Sequence, residues 1–198
     1  MAGMTPRKLR SPLSLVILGL LAEESLHPYA IRQRIAERGH DRLPGVRFAS
    51  VYDTVQRMAG AGLISAGDPS REGRRPERVR YAITATGQES LLAWVAEALA
   101  NTTRGEEFPA ALSFMYGLGR DRATEILQAR AATLAASLAA DEGALAQAEK
   151  DGVPSIFLSE HRYQLALRRA ECDWLNTFTR ALSTGDLAWP KARKGTGS

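Results

Sequence analysis

The sequence predicts a mainly α protein: an N-terminal winged helix-turn-helix with a two-stranded wing, followed by a C-terminal α-helical domain. Three observations lead there. Three short helix patterns follow one another before residue 63, each with its own start and stop signals. Two strand patterns come next, joined by a loop crowded with arginine. From about Thr84 onward the apolar residues recur at helical spacing.

The first helix is the apolar run "LSLVILGLLA", opened by Pro12, whose missing N–H costs nothing in a first turn. Preceded by Arg7, Lys8 and Arg10, it imitates a secretory leader. Its ten residues are too few to span a bilayer, and it runs into Glu23 and Glu24 without a small-residue cleavage pattern. A buried helix in a cytoplasmic protein is the expectation. Pro28 opens a second helix, "PYAIRQRIAERG", and Gly39 suits its stop. The third, "SVYDTVQRMAGAG", has Ser50 as candidate N-cap. Val51, Val55 and Met58 share its buried face, leaving Tyr52, Asp53, Gln56 and Arg57 to solvent or a partner.

"LISAG" and "RVRYAIT" are the strand candidates. In the second, Val79, Tyr81 and Ile83 share one face and Arg78, Arg80 and Ala82 the other. The loop between them carries Arg71, Arg74, Arg75 and Arg78 around Gly73 and Pro76. Thr84 or Thr86 can cap the next helix, and "NTTRGEEFP" reads as a linker. A long helical tract then carries Leu127, Leu134, Leu138 and Leu145, and a last one Leu167, Ala170, Trp174 and Phe178, with "DGVPS" separating them. The expected division is a DNA-binding domain over 1–100, a helical domain over 101–187 and a flexible tail over 188–198.

Charge is distributed unevenly along these parts. Residues 1–87 sum to +6, residues 88–190 to −5 and the last eight to +3. A basic N-terminal part points to a polyanionic partner, and an acidic helical part to another task. Cys172 is the only cysteine, so an intramolecular disulfide and a cysteine-rich zinc site are excluded. His27, His40 and His161 lie far apart in sequence, and no metal or cofactor is expected. The chain has no phosphate loop, no Gly-x-Ser-x-Gly elbow and no His-Glu-x-x-His, and an enzyme is not expected.

These residues also carry a resemblance. Leu18, Gly19, Leu20 and Leu21 followed by His27, Pro28 and Tyr29; Tyr52, Val55, Met58, Gly62, Leu63 and Ile64; and Gly73, Arg74, Arg75, Pro76, Tyr81, Ile83, Thr84 and Gly87 together resemble the PadR transcriptional regulators. The form resembled is the longer one, with a C-terminal helical domain of virulence-activator type, matched more loosely through "LALRRAECDWL". Pro28 stands where the family usually has Gly, Asp53 where it often has Pro, and Arg75 is an extra residue before Pro76.

What the resemblance implies is a dimer, held through its C-terminal helices, that represses a promoter until a small molecule or another signal releases it. The implied partner is double-stranded DNA with a pseudo-palindromic operator, and some members respond to aromatic or drug-like effectors. In a winged helix the third helix enters the major groove, which makes Ser50, Tyr52, Asp53, Gln56 and Arg57 the candidate readers. Gln56 suits adenine and Arg57 guanine or phosphate. Asp53 would repel phosphate, so it faces a base edge, a neighbouring arginine or solvent. Arg71, Arg74, Arg75 and Arg78 suit phosphates or the minor groove, and Tyr29, Arg32 and Arg47 the backbone. Leu127, Leu134, Leu138, Leu167, Trp174 and Phe178 are the candidate dimer contacts. Phe157, Tyr163, Trp174 and Phe178 are expected in a core, with an effector pocket as the alternative. The other function class is a winged-helix module that binds proteins, with no specific DNA affinity.

Overall fold

The computed structural model describes residues 9–67, 79–103 and 105–190. They group into two compact units, one reaching Gly117 and one beginning at Leu118.

In the first unit, α1 (Pro12–Glu23) starts where the Ser11 side chain accepts a hydrogen bond from the Ser14 N–H at 3.2 Å. Every residue from Pro12 to Leu21 is buried, so α1 has no solvent face and serves as the central rod of the unit. Around it lie α2 (Pro28–Glu37), α3 (Val51–Gly60), α4 (Ala85–Ala100), α5 (Phe108–Phe114) and strand β2 (Tyr81–Ile83). Gly39, at φ +68°, takes the left-handed conformation that ends α2 and turns the chain towards α3. Val51, Val55 and Met58 are fully buried as their spacing predicts, and Thr54 joins them.

Ser50 departs from expectation. Its side chain makes no capping hydrogen bond, because a 3₁₀ turn over Phe48–Ser50 runs directly into α3 and leaves Ser50 without the extended backbone a cap requires.

β1 (Ile64–Ala66) pairs antiparallel with β2 in the register Ile64–Ile83, Ser65–Ala82 and Ala66–Tyr81. On its other edge β2 exchanges backbone hydrogen bonds with Leu26, at 2.8 and 3.0 Å, tying the strand to the α1–α2 turn. Thr84, rather than Thr86, caps α4: its Oγ1 accepts from the Gly87 N–H at 3.0 Å and donates to the Gly62 carbonyl at 2.7 Å. The helix packs so closely on this strand pair that a Cβ on Gly87 would lie 2.0 Å from the Leu63 carbonyl oxygen.

The segment read as a linker ends in a helix. Phe108 is buried, Pro109 occupies the first turn, and α5 packs on α1 and α4, with the Phe114 ring lying directly over Gly19. For that reason the first unit reaches Gly117, past the boundary expected after residue 100.

The second unit is a helical hairpin of α6 (Arg120–Lys150) and α7 (Ser159–Thr184). Ion pairs Glu149–Arg162 and Glu142–Arg169, both 2.7 Å, and Asp141–Arg168 fix the antiparallel register. Leu127, Ala131 and Leu134 of α6 and Leu165, Cys172, Leu175 and Leu182 of α7 form its core. Within that core Arg130 is buried and binds Glu171 through Nε and Nη2, at 2.9 and 2.6 Å. Burial, aided by the Glu171 and Asp173 carboxylates, pushes the Cys172 thiol above its ordinary pKa and keeps it protonated.

Leu127 and Leu134 are used inside one chain, filling the hairpin, while Leu138 is half-buried. Phe157, Tyr163 and Trp174 are not core: they are 73, 61 and 42% exposed, and Leu167 is 50% exposed. Trp174 stacks on the half-buried Phe178 at 4.7 Å between ring centroids. The cause is helical phase. Positions 165, 172, 175 and 182 face α6, which leaves 163, 167, 174 and 178 on the flank and outer side.

Among the described residues, no helix is long and apolar enough to cross a membrane, and no group of His, Cys, Asp and Glu has the arrangement of a metal site.

Candidate nucleic-acid interface

The exposed face of α3 presents Tyr52, Asp53, Gln56 and Arg57, since the opposite face is consumed by Val51, Thr54, Val55 and Met58. Tyr52 is half exposed. Asp53 faces the neighbouring arginine among the three alternatives: its Oδ2 lies 3.1 Å from Arg57 Nε, one turn along the helix. Arg57 also donates through Nη2 to Thr54 Oγ1 at 3.2 Å. The pair holds the guanidinium flat against α3 and partly offsets its charge. Both side chains are well exposed, so in water this pairing is worth only about 0.5 kcal/mol. A phosphate or a guanine edge can compete for the arginine.

Gln56 is also positioned, by a residue the sequence suggested only as strand core. Its Nε2 donates to the Tyr81 hydroxyl at 3.1 Å, which links α3 to β2. Tyr81 is buried, and Gln56 meets its hydroxyl from α3. The alternation of β2 groups Tyr81 with Val79 and Ile83 on one face, but nothing in a strand pattern says where a phenol oxygen emerges.

Three further candidates line the approach to α3. Arg32 on α2 places its guanidinium 5.7 Å from the centre of the Phe48 ring, in the turn that leads into α3. Arg47 is exposed. Tyr29 is half exposed at the first turn of α2 and stacks near His27, at 6.1 Å. The remaining arginines of α2 are committed elsewhere: Arg34 binds Glu24 and Glu37, and Arg38 binds Glu23 through both terminal nitrogens at 2.5 and 2.8 Å. The hydrogen bonds to Glu23 raise the Arg38 pKa further. Glu23 also accepts from the Tyr116 hydroxyl at 2.9 Å, so one carboxylate ties α1, α2 and the end of the unit together. Arg80 was not singled out as a contact; its guanidinium holds the Ser25 carbonyl at 2.7 Å. Arg71, Arg74, Arg75 and Arg78 lie outside the described residues.

An arrangement of three helices, a strand pair and a helix with an exposed Gln–Arg face is compatible with several winged-helix classes. The sequence decides among them. Residues 17–93, from within α1 to within α4, match the family described as "Transcriptional regulator PadR-like family". Residues 17–93 are a PadR-like domain.

Solved structures similar to it include Bacillus subtilis PadR in complex with operator DNA, with 19% identity, coverage of 86% of this chain and 98% of that one, and a TM-score of 0.39. The protein smu.1604c from Streptococcus mutans UA159 is 20% identical, with 83% and 96% covered and a TM-score of 0.39. Bacillus subtilis PadR in complex with p-coumaric acid is 19% identical, with 87% and 99% covered and a TM-score of 0.37. No curated protein matches the chain.

Proposed function

We propose that this protein, which carries a PadR-like domain, is a transcriptional regulator: a cytoplasmic, dimeric repressor that reads a pseudo-palindromic operator by placing α3 in the major groove. The observation that carries the reading is the division of α3: a fully buried apolar face beneath an exposed row of Tyr52, Gln56 and Arg57, with Arg32 and Arg47 beside its N-terminal end. Gln56 fits the paired donor and acceptor of adenine and Arg57 those of guanine, while Arg32, Arg47 and Tyr29 suit phosphates. The wing arginines Arg71, Arg74, Arg75 and Arg78 supply further cations from the loop after β1, and Ser50 lies where a helix N-terminus meets a phosphate.

Binding is tested on the DNA immediately upstream of the protein's own coding sequence against a scrambled duplex, across a series of salt concentrations. Gln56→Ala is expected to weaken binding about tenfold on the upstream duplex and to leave binding to the scrambled duplex unchanged. Arg74→Ala/Arg75→Ala is expected to weaken both and to flatten the salt dependence. Equal, weak binding to both duplexes, unaffected by Gln56→Ala, would sink the assignment of α3 as reader.

The second copy is assigned to the outer side of α7. Tyr163, Leu167, Trp174 and the half-buried Phe178 recur there at helical spacing as an apolar stripe open to solvent. Leu167→Glu/Trp174→Glu is expected to raise the dimer dissociation constant by at least about 100-fold, read by sedimentation velocity, with helix content unchanged because neither residue supports the hairpin core. A sedimentation profile identical to that of the unsubstituted protein counts against this face. An effector of any chemistry releases DNA only by binding one spacing of the two heads more tightly than the other.

A further inference from the structure

We propose that α2, the first helix of the helix-turn-helix, is a proton-sensitive element: it is held at both ends by imidazoles that must be neutral, and protonating them unseats it.

At the N-terminal end, His27 is the cap of α2, and its Nδ1 accepts the hydrogen bond of the Ala30 N–H at 3.1 Å. A nitrogen that accepts this bond carries no proton, so the ring is the neutral Nε2–H tautomer. Protonation exchanges the acceptor for a donor pointed at another donor, and it also places a cation at the positive end of the helix dipole. Serine, aspartate or asparagine in this position would keep the cap at any pH near neutral. Near this end lie the Tyr29 ring on α2 itself and, on the β2 side, Arg80, which binds the Ser25 carbonyl in the turn before His27.

At the C-terminal end, the 3₁₀ turn over His40–Arg42 follows Gly39, and His40 is buried against the Phe114 ring of α5, with ring centroids 5.6 Å apart. Its Nδ1 is buried and has no hydrogen-bond partner among the described residues, so an added proton there would find no acceptor. The charged groups facing it are Arg38 from the end of α2, Glu23 from α1 and Asp41 from its own turn. Burial first and the Arg38 cation second lower the His40 pKa from its ordinary value of 6.5, and the two carboxylates oppose them without prevailing.

The sign follows by linkage. With the folded pKa below the unfolded one, the unfolded chain binds more protons, so the stabilisation is complete above about pH 6.5 and is lost as the pH falls below it. Only Ile31 and Ile35 of α2 are buried, so little apolar contact remains to retain the helix once both ends loosen. The consequence for DNA rests on the function proposed above: α2 carries Tyr29 and Arg32 and braces the turn into α3, so acidification releases the operator.

Hydrogen exchange of the full chain, corrected for the intrinsic rate at each pH, tests the device without reference to DNA. Between pH 7 and pH 5.5, peptides covering 27–42 are expected to lose protection by about tenfold, while α6 and α7, where the sole histidine is the exposed His161, do not change. In His27→Asn/His40→Gln the change is expected to vanish, and His27→Asn/His40→Leu serves if the glutamine is not accommodated. Equal pH dependence in a folded double variant, or none in the unsubstituted protein, overturns the proposal. Loss of protection with upstream-DNA affinity unchanged leaves the device standing and overturns its link to the operator.

Discussion

Replacing Gly87 with alanine is expected to destabilise the first unit by about 3 kcal/mol. The added methyl would lie 2.0 Å from the Leu63 carbonyl oxygen and 2.9 Å from the Ile83 side chain. Such an overlap is relieved cheaply only when the neighbour is the free end of a side chain. Here it is backbone, and that carbonyl already accepts from the Thr84 N–H at 3.0 Å and from Thr84 Oγ1 at 3.1 Å. Retreat of α4 therefore breaks the cap of the helix, and retreat of β1 disturbs its pairing with β2. Urea denaturation measures the loss, and hydrogen exchange locates it in peptides from β1, β2 and α4. A midpoint within about 0.5 kcal/mol of the unsubstituted protein would show that the helix and strand separate more easily than this contact implies.

Glu171→Leu is the second large effect, with an expected loss of about 3 kcal/mol in the α6–α7 hairpin. The Arg130 side chain is only 2% exposed, and the substitution takes away the carboxylate bonded to two of its nitrogens. A guanidinium does not escape by losing its proton, so the charge stays in the core with less to neutralise it. Arg130→Met/Glu171→Leu removes both charges and keeps the volume, and it is expected to recover most of the loss. A double variant no more stable than Glu171→Leu would mean that the destabilisation comes from packing around position 171.

Local signals in the sequence were legible where the chemistry itself is local. Pro12 and Pro28 begin helices because proline is harmless only in a first turn; Val51, Val55 and Met58 bury because their spacing leaves them one face; Thr84 caps because its hydroxyl reaches the Gly87 N–H. Expectations departed from the structure where the deciding neighbour is distant. The leucine spacing of α6 suits equally a partner helix in the same chain or in another, and α7 supplies the first. Phe108 sits in a polar stretch that resembles a linker, and only the closeness of α1 and α4 makes it the start of a helix. Asp53 could not be placed from its type, since its role depends on the rotamer of Arg57. The position of Gln56 depends on a tyrosine twenty-five residues away in sequence.

The enclosure of α1 on every side has a consequence for how this protein can vary. An ordinary surface helix offers mutation a permissive side, so tolerance along it rises and falls with each turn. From Pro12 to Leu21 no such side exists. Any larger or charged side chain there meets one of the five elements packed around the rod, and even Gly19 is closed by the Phe114 ring. The ten positions form one unbroken block of constraint, whereas α2, with two buried residues, leaves most of its sequence free to diverge. Variation can therefore accumulate along α2 and the outer face of α3, while the rod beneath stays apolar throughout.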